Sequence, residues 1–562
     1  MNLSASQPHV AHTAPRAMLP SEVDVLVVGF GPVGAAIANL LGLYGVSAMV
    51  VDKAEKIFMA PRAIALDNEA LRVLQLAGLE ESDFGKIAIP FVRMLSPYLG
   101  EFGRINTLGE IDGHPKLVTF YQPELEEALR RRVARFSGIR TALGIALTGV
   151  VEHEDSVTAT LDLGDDSTCS VRARYLIGAD GASSLVRQLI GQQFEGKTYA
   201  EDWLVVDARG VSHPIDHVEF ICDHRRPVPH MTAPHDRERW EFMLRPGETR
   251  AEMETEERVS ELLAPWGKPS EMTLERKAVY RFHARTAKAF RKGRIFLAGD
   301  AAHITPPFAG QGLVAGLRDA ANLSWKIAWV LQGRASPSIL ESYDQERRPH
   351  AKAMIDLARL MGRMIMPRNA AVALVTHGFM RLTRLVPPLR RYFEELEIKP
   401  RNEFPRGLFV TGRPRGRLVR GGPFPQGWVR DPRGRIHLSD DALGPALTLI
   451  GFGRDAGAML DAALLREFVS CGGRIVQIAH RGQSAHLGRD GWCEDLEGVF
   501  MPGTAPFGWA AIVRPDRTIL HDGPVTEAGR LVRESLALLR NPVCAEASHD
   551  ATPALSPRRS FP

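Results

Sequence analysis

A chain of 562 residues, 44% hydrophobic and 24% charged, is too long for one core and reads as two or three globular domains. Its 70 Lys+Arg against 66 Asp+Glu leave a formal charge of +4, too small and too dispersed to argue for a nucleic-acid partner. No apolar run reaches the roughly 18 to 20 residues that cross a bilayer, and the five scattered cysteines form no C-x-x-C pair. No membrane, zinc site or disulfide framework is therefore expected, and a reducing, cytoplasmic compartment is favoured.

Residues 1–20 carry no apolar stretch of signal-peptide type and are expected to be a disordered lead. Val23 to Val28 is a short apolar, β-branched run, as a buried parallel strand requires. It enters Gly29-Phe30-Gly31-Pro32-Val33-Gly34, a small-residue helix follows over Ala35 to Leu43, and a second strand (Ser47 to Val51) delivers Asp52. Strand, G-x-G-x-x-G, helix, strand and acid together form the dinucleotide fingerprint in its required context. The first glycine allows the tight turn, the second lets a pyrophosphate approach the backbone, and the third lets helix and strand pack closely. Asp52 lies where an acid accepts hydrogen bonds from a ribose.

On the loop beyond, Arg62 either reaches a phosphate or is a solvated surface cation. Asp67 precedes an apolar helix and has a ready role as its N-cap. Gln122 stands at the edge of a helix over Glu124 to Phe136, where its amide binds a cofactor or caps the helix. A β-meander is expected from Leu143 to Leu163. Arg174 to Gly178 then reads as a strand ending in Ala179-Asp180-Gly181, with a helix starting at Ser183-Ser184.

Between residues 196 and 285 the pattern changes to strands separated by turns (Leu204 to Val211, His217 to Asp223, Arg239 to Arg245, Thr273 to Phe282). An antiparallel sheet inserted into the nucleotide domain is expected there, as a wall over a substrate pocket. Its histidines lack metal-ligand spacing, so no metal is expected. Ile295 to Ala298 then leads into Gly299-Asp300, a Pro306-Pro307-Phe308 turn, and Gly310-Gln311-Gly312 at the start of a long helix. That helix start presents unpaired N–H groups and partial positive charge, suited to an anionic or electron-rich ring edge. The Asp300 carboxylate suits a sugar or ribitol hydroxyl.

Two long helices (Leu313 to Gln332, Pro337 to Met366) precede a Pro- and Arg-rich linker with short helices. From about residue 416 a βαβ, ββ, helix order resembles a thioredoxin-like unit, with Cys471 alone and redox exchange unexpected. The expected boundaries are 21–195 with 286–366 for the nucleotide domain, 196–285 for the sheet, 367–415 for the linker, 416–545 for the C-terminal unit and 546–562 for a disordered tail. The fold class is α/β: a Rossmann-like domain with an inserted antiparallel sheet and a thioredoxin-like appendage.

The set Gly29-x-Gly31-x-x-Gly34, Asp180-Gly181 and Gly299-Asp300 resembles that of the class A FAD-dependent aromatic hydroxylases, and the C-terminal appendage is similar to that of their phenol hydroxylase branch. The Pro61-Arg62-Ala63-Ile64, Glu241-Phe242-Met243 and Gln345-Glu346-Arg347-Arg348 runs look nearest to the hydroxylases of phenolic aromatic acids of the 3-(3-hydroxyphenyl)propionate or 3-hydroxycinnamate type. The Pro306 to Gly316 loop departs from that group's Trp-Gln-Gly-Gln-Gly version, which leaves the exact substrate open.

The resemblance implies FAD as cofactor, NADH or NADPH as transient electron donor, and oxygen transfer from dioxygen to a small phenolic ring through a flavin hydroperoxide. It implies an FAD site of Gly29, Gly31, Pro32, Val33, Gly34, Asp52, Lys53, Arg62, Gln122, Asp180, Gly181, Gly299, Asp300, Pro307, Gly310, Gln311, Gly312 and Leu313. A base near the phenol is expected, with Asp67, Tyr280 and His283 as candidates. His230 and Arg245 are candidates for an acid side chain, and Pro306 and Phe308 for the substrate ring. Other readings stay open: a hydroxylase of another phenol, resorcinol or polyketide aromatic, or a non-catalytic flavin-binding sensor. The appendage can serve a homodimer, but nothing in the residues fixes assembly.

Overall fold

Buried β-branched runs form the strands of the nucleotide domain, and small residues bring its first helix close to them. The computed structural model describes residues 19–542 apart from 61, 165–166, 396, 413–417 and 484–490. Most of the expected lead and all of the expected tail lie outside the described residues. Strand β1 (Glu22–Val28) turns into helix α1 (Pro32–Leu43) and strand β2 (Ala48–Asp52). Helix α2 (Asn68–Leu76), strands β3 (Phe91–Ser96) and β4 (Gly100–Asn106), and helix α3 (Gln122–Val133) follow. Strands β5 (Ile139–Leu143), β6 (Ala146–Glu152), β7 (Val157–Asp162) and β8 (Thr168–Gly178) bring the chain back. The first sheet runs β5-β2-β1-β8-β7-β6, parallel from β5 to β8 and antiparallel beyond.

The second sheet contains β9 (Phe194–Arg209), β10 (Val218–Ile221), β11 (Val228–Ala233), β12 (Arg237–Met243) and β13 (Thr273–Ala287). Strand β14 (Ile295–Leu297) rejoins the first sheet beside β8, and β15 (His303–Ile304) pairs with β13. The order of the second sheet is β15-β13-β9-β12-β11-β10-β3-β4. The sheet therefore takes two strands from Phe91–Asn106, ahead of the expected 196–285 boundary. β3 joins β10 in parallel, a pairing between segments more than a hundred residues apart that no local pattern announces.

Four helices follow: α4 (Gly312–Leu331), α5 (Glu341–Ile365), α6 (Ala370–Thr383) and α7 (Pro387–Glu394). The last two lie in the expected linker, as its short helices. The C-terminal unit comprises β16 (Trp428–Arg430), β17 (Ile436–Leu438), β18 (Leu447–Phe452), α8 (Ala462–Ser470), β19 (Gly473–Ala479), β20 (Trp492–Asp495), β21 (Trp509–Val513), β22 (Ile519–Pro524) and α9 (Ala528–Arg540). Its mixed sheet runs β17-β16-β20-β19-β18-β21-β22. The expected βαβ, ββ, helix order is present, with three further strands on the β20 side.

This unit is pinned to the helices behind the nucleotide site by buried charge. Glu346 of α5 accepts two bonds from Arg514 (2.7 and 2.9 Å) and one from Lys326 of α4 (2.7 Å). All three side chains are shielded from water. Burial alone would push the Glu346 carboxyl up, but Arg514 and Lys326 outweigh it and hold it well below the usual range. A carboxyl with a depressed folded pKa adds stability above its unfolded value of about 4.3, and that stability is lost as pH falls below it. We therefore expect the unfolding midpoint to drop steeply below about pH 4. Arg514→Ala should cost about 3–5 kcal/mol at neutral pH, because it leaves a buried charge short of its partner. Chemical denaturation across pH checks both.

Candidate active site

At the fingerprint, a Cβ on Gly34 would lie 1.9 Å from the Gly29 carbonyl oxygen, and one on Gly29 would lie 2.4 Å from the Ala179 oxygen. These two glycines act by close packing. Gly31 differs: a Cβ there would meet nothing within 4 Å, because the residue faces an open cavity. Helix α1 begins at this point with no side-chain cap, so its first N–H groups are available to an anion. Asp52 is held in place by the N–H groups of Phe30 (2.7 Å) and Ala54 (2.8 Å) and lines the same cavity. Gln122 accepts from the N–H groups of Arg62 and Ala63 (both 3.0 Å), so its carbonyl braces the Arg62 loop. Asp180 caps the short helix Leu185–Leu189 through Oδ2, leaving its buried Oδ1 without a partner beside cavity-lining Gly181.

A second helix start meets the first across the cavity. α4 begins after Gln311, again without a side-chain cap, and Pro307, Gly310, Gln311, Gly312 and Leu313 line the space. Asp319, two turns further along α4, accepts from the Gly299 N–H (3.1 Å), His303 Nε2 (2.6 Å) and Arg347 Nε (2.9 Å). That one buried carboxylate fixes the turn carrying Asp300. Burial pushes the Asp300 carboxyl up against the pull of His303 and Arg62, and Asp300 faces the cavity, as a partner for hydroxyl groups should. Two uncapped helix starts, an anchored acid for a ribose and a half-buried acid for hydroxyls fit a dinucleotide with a polyol chain, which is the pattern FAD requires. Lys53 is exposed and off the cavity, while Ala54 and Lys56 line it, so the expected role of the Lys53 side chain is not supported.

The cavity has a volume of about 1030 Å³ and extends from this cradle to the second sheet. Its far wall is apolar, with Val92, Val205, Phe220, Met231 and Phe282. Phe308 is buried against Trp203 and Phe282 (ring centroids 5.7 and 5.9 Å apart) and also lines the space, whereas Pro306 is buried behind it and does not. Tyr280 and His283 both reach the cavity; burial and the nearby Arg285 and Arg281 lower the imidazole pKa, favouring its neutral form.

Two expected substrate residues are misplaced. His230 is fully buried, bonded to Glu219 (3.0 Å) and Glu238 (2.7 Å) and stacked on Trp240, on the sheet face turned away from the cavity. Arg245 is exposed in a turn, its N–H bonded to Glu248. Alternation along the strands explains the error, since Pro229 and Met231, the neighbours of His230, are the ones that face inward.

Asp67 lines the cavity but is saturated. Its Oδ1 caps α2 through Ala70 N–H (2.9 Å), and its Oδ2 takes Lys399 (2.7 Å), Arg318 (3.0 Å) and Gln311 Nε2 (3.2 Å). Burial alone would raise the carboxyl, but Lys399 and Arg318 hold it well below the usual range. So weak a base does not suit proton removal, and the geometry gives Asp67 the work of fixing the Gln311 side chain.

A polar group on the far wall has no local signature in the sequence. Arg239 on β12 grips Asp207 of β9 with two bonds (2.6 and 2.9 Å), and Arg276 on β13 lies 3.5 Å from the same carboxylate and 4.9 Å from the Tyr280 ring. Glu241, two residues beyond Arg239 on the same strand face, lines the cavity and makes no side-chain hydrogen bond or ion pair among the described residues. Burial raises its pKa, with Arg239 and Arg276 opposing and Asp207 adding to the rise.

Known proteins match this arrangement along the chain. The family described as FAD binding domain covers residues 22–358, and that described as HcaD C-terminal domain covers residues 421–538. A 3-(3-hydroxy-phenyl)propionate/3-hydroxycinnamic acid hydroxylase of Comamonas testosteroni is 32% identical, over 93% of this chain and 98% of the relative. Its counterpart in Escherichia coli (strain 55989 / EAEC) is 35% identical, over 88% and 91%. Among solved structures, the flavin-dependent monooxygenase PieE, in complex with FAD and substrate, has a TM-score of 0.78 at 20% identity, covering 92% of this chain and 99% of that one. A ternary complex of aklavinone-11 hydroxylase with FAD and aklavinone has a TM-score of 0.71 at 24% identity, with the same coverage.

Asp300→Ala removes a half-buried acceptor from the cradle, so FAD retention should weaken by about 10- to 100-fold, the worth of a charge-assisted hydrogen bond. Flavin absorbance after gel filtration and a titration of the apoprotein with FAD measure it.

Proposed function

The chain belongs to the FAD-dependent aromatic hydroxylases, and from that membership we propose that it hydroxylates the ring of a phenolic aromatic acid of the 3-(3-hydroxyphenyl)propionate or 3-hydroxycinnamate type. The observation that carries this reading is the single cavity in which the cradle of two helix starts faces an apolar wall edged by Arg276, Tyr280 and Glu241. FAD, reduced by NADH or NADPH, supplies the activation of dioxygen and delivery of one oxygen atom to the ring. The chain's own residues bind, orient and shield.

The helix starts at Gly31 and Gln311 offer fixed N–H dipoles, the first to a pyrophosphate and the second to a ring edge that gains negative charge on reduction. The cluster around Asp67 keeps Gln311 and the first turn of α4 in register, so those dipoles need no rearrangement during turnover. The side chains of Val205, Phe220, Phe282 and Phe308 hold an aromatic ring and keep water out, which limits unproductive loss of the activated oxygen. Arg276 takes the place first given to Arg245 and His230, as the sheet cation that meets the acid side chain. Tyr280 and His283 serve as positioning contacts at the rim of the ring site.

NAD(P)H oxidation should rise sharply when a meta-substituted phenol with a short acid chain is added, and no stimulation across a phenolic panel would refute this substrate class. Arg276→Ala should raise KM for the acid by about 10- to 100-fold, the worth of one to two charge-assisted hydrogen bonds, while leaving a neutral phenol nearly unaffected.

A further inference from the structure

Glu241 is the one carboxyl on the apolar wall whose role neither the fold nor the cradle explains. It is 6% exposed, and it opens on the cavity between Val205, its neighbour across β9, and the cavity-lining residues of β11. Every other acid around it is engaged. Asp207 holds the Arg239 fork and the end of Arg276, and Asp67 is saturated by Lys399, Arg318 and Gln311. Glu241 has no such partner among the described residues. A carboxylate that opens on a cavity without a protein donor takes its hydrogen bonds from water or from what the cavity binds, and a ligand hydroxyl placed there meets an acceptor.

We propose that Glu241 is a catalytic residue, the acceptor that takes the proton of the substrate's phenolic hydroxyl as the ring is attacked. The inference rests on the phenolic reading above. In the step, the phenol O–H bond breaks, an O–H bond forms on the Glu241 carboxylate, and the electron pair stays on the phenol oxygen. The site's net charge is unchanged and no oxidant is consumed. The pair left on oxygen enriches the ring at the positions ortho and para to it, which is where an electrophilic oxygen atom is accepted.

The charges that face Glu241 suit the transfer. Arg239 on its own strand and Arg276 on β13 act on its charge from one side and Asp207 on β9 from the other, and Asp207 holds both arginines in position. Burial makes the carboxylate a stronger base than one in water, which narrows the gap to a phenol whose own pKa is about 10. Asp67, held far below the usual range, lacks that advantage.

Glu241→Gln keeps the shape and removes the base. In the FAD-loaded enzyme we expect kcat to fall about 10²- to 10⁴-fold, the usual loss when a general base is removed, with substrate binding changed far less. The acid limb of the kcat profile, which reports ionisation of Glu241, should disappear. The deficit should shrink with ring-fluorinated substrates of lower phenol pKa, and as pH rises toward the phenol's own pKa, because those substrates arrive already ionised. A merely structural carboxyl would give the same deficit for every substrate at every pH; that result, or kcat within about 2-fold of the parent, overturns the proposal. If Gln is not tolerated, Glu241→Asp keeps the acceptor and should retain the acid limb at reduced kcat, and its loss would count against the proposal. If the parent enzyme is not stimulated by any phenolic acid, the substrate reading fails, and that outcome is distinct from an unaffected variant.

Discussion

Two helices, α1 and α4, start without side-chain caps at opposite sides of one cavity, and much of the chain is arranged to keep them there. An uncapped helix start leaves N–H groups unpaired and concentrates partial positive charge, which is costly unless an anion or polar ring edge completes it. The glycines that bring α1 against β1 and β8 allow an approach that side chains would block at 1.9 and 2.4 Å. The same constraint shapes the α4 side, where a Cβ at Gly316 would lie 2.6 Å from Val33 of α1. The helices touch because Gly316 leaves room for the Val33 side chain, which ties the two helix starts to one another.

Buried carboxylates do the rest of the fixing. Asp319 ties α4 to the Asp300 turn and to α5, Asp67 ties α2 to the start of α4 and to Lys399 of the inter-unit segment, and Glu346 ties α4 and α5 to the C-terminal unit. Each has its charge balanced by two cations or by a cation and a histidine, which is what makes burial tolerable. The C-terminal unit also reaches the front of the molecule, where Asp440 holds Arg72 of α2 through two bonds of 2.8 Å. It braces the nucleotide domain from two sides, a role that needs no cysteine chemistry.

The cradle was legible in the residues because its chemistry is local. A turn, a helix start and an acid at the end of the next strand all fall within Gly29 to Asp52, and the spacing reports them directly. The sheet wall was legible as a sheet but not as a surface. Whether His230 or its neighbours face inward depends on strand register, and the carboxylates that saturate His230 lie on two other strands. Asp67 was legible as a helix cap; its cations, Arg318 and Lys399, arrive from hundreds of residues away. Glu241 stood in plain view within a familiar run, but what distinguishes it is the lack of a hydrogen-bonding side-chain partner among the described residues, and only the folded chain can show that.

The chemistry of this cavity is the transfer of an oxygen atom from dioxygen to an aromatic ring. The most direct measurement is turnover of a meta-hydroxyphenyl acid with NAD(P)H under isotopically labelled dioxygen, followed by mass analysis of the product. The account predicts a ring-hydroxylated product carrying one labelled oxygen. A product whose new oxygen comes from water, or NAD(P)H oxidation that yields only hydrogen peroxide across the phenolic acids, would contradict it.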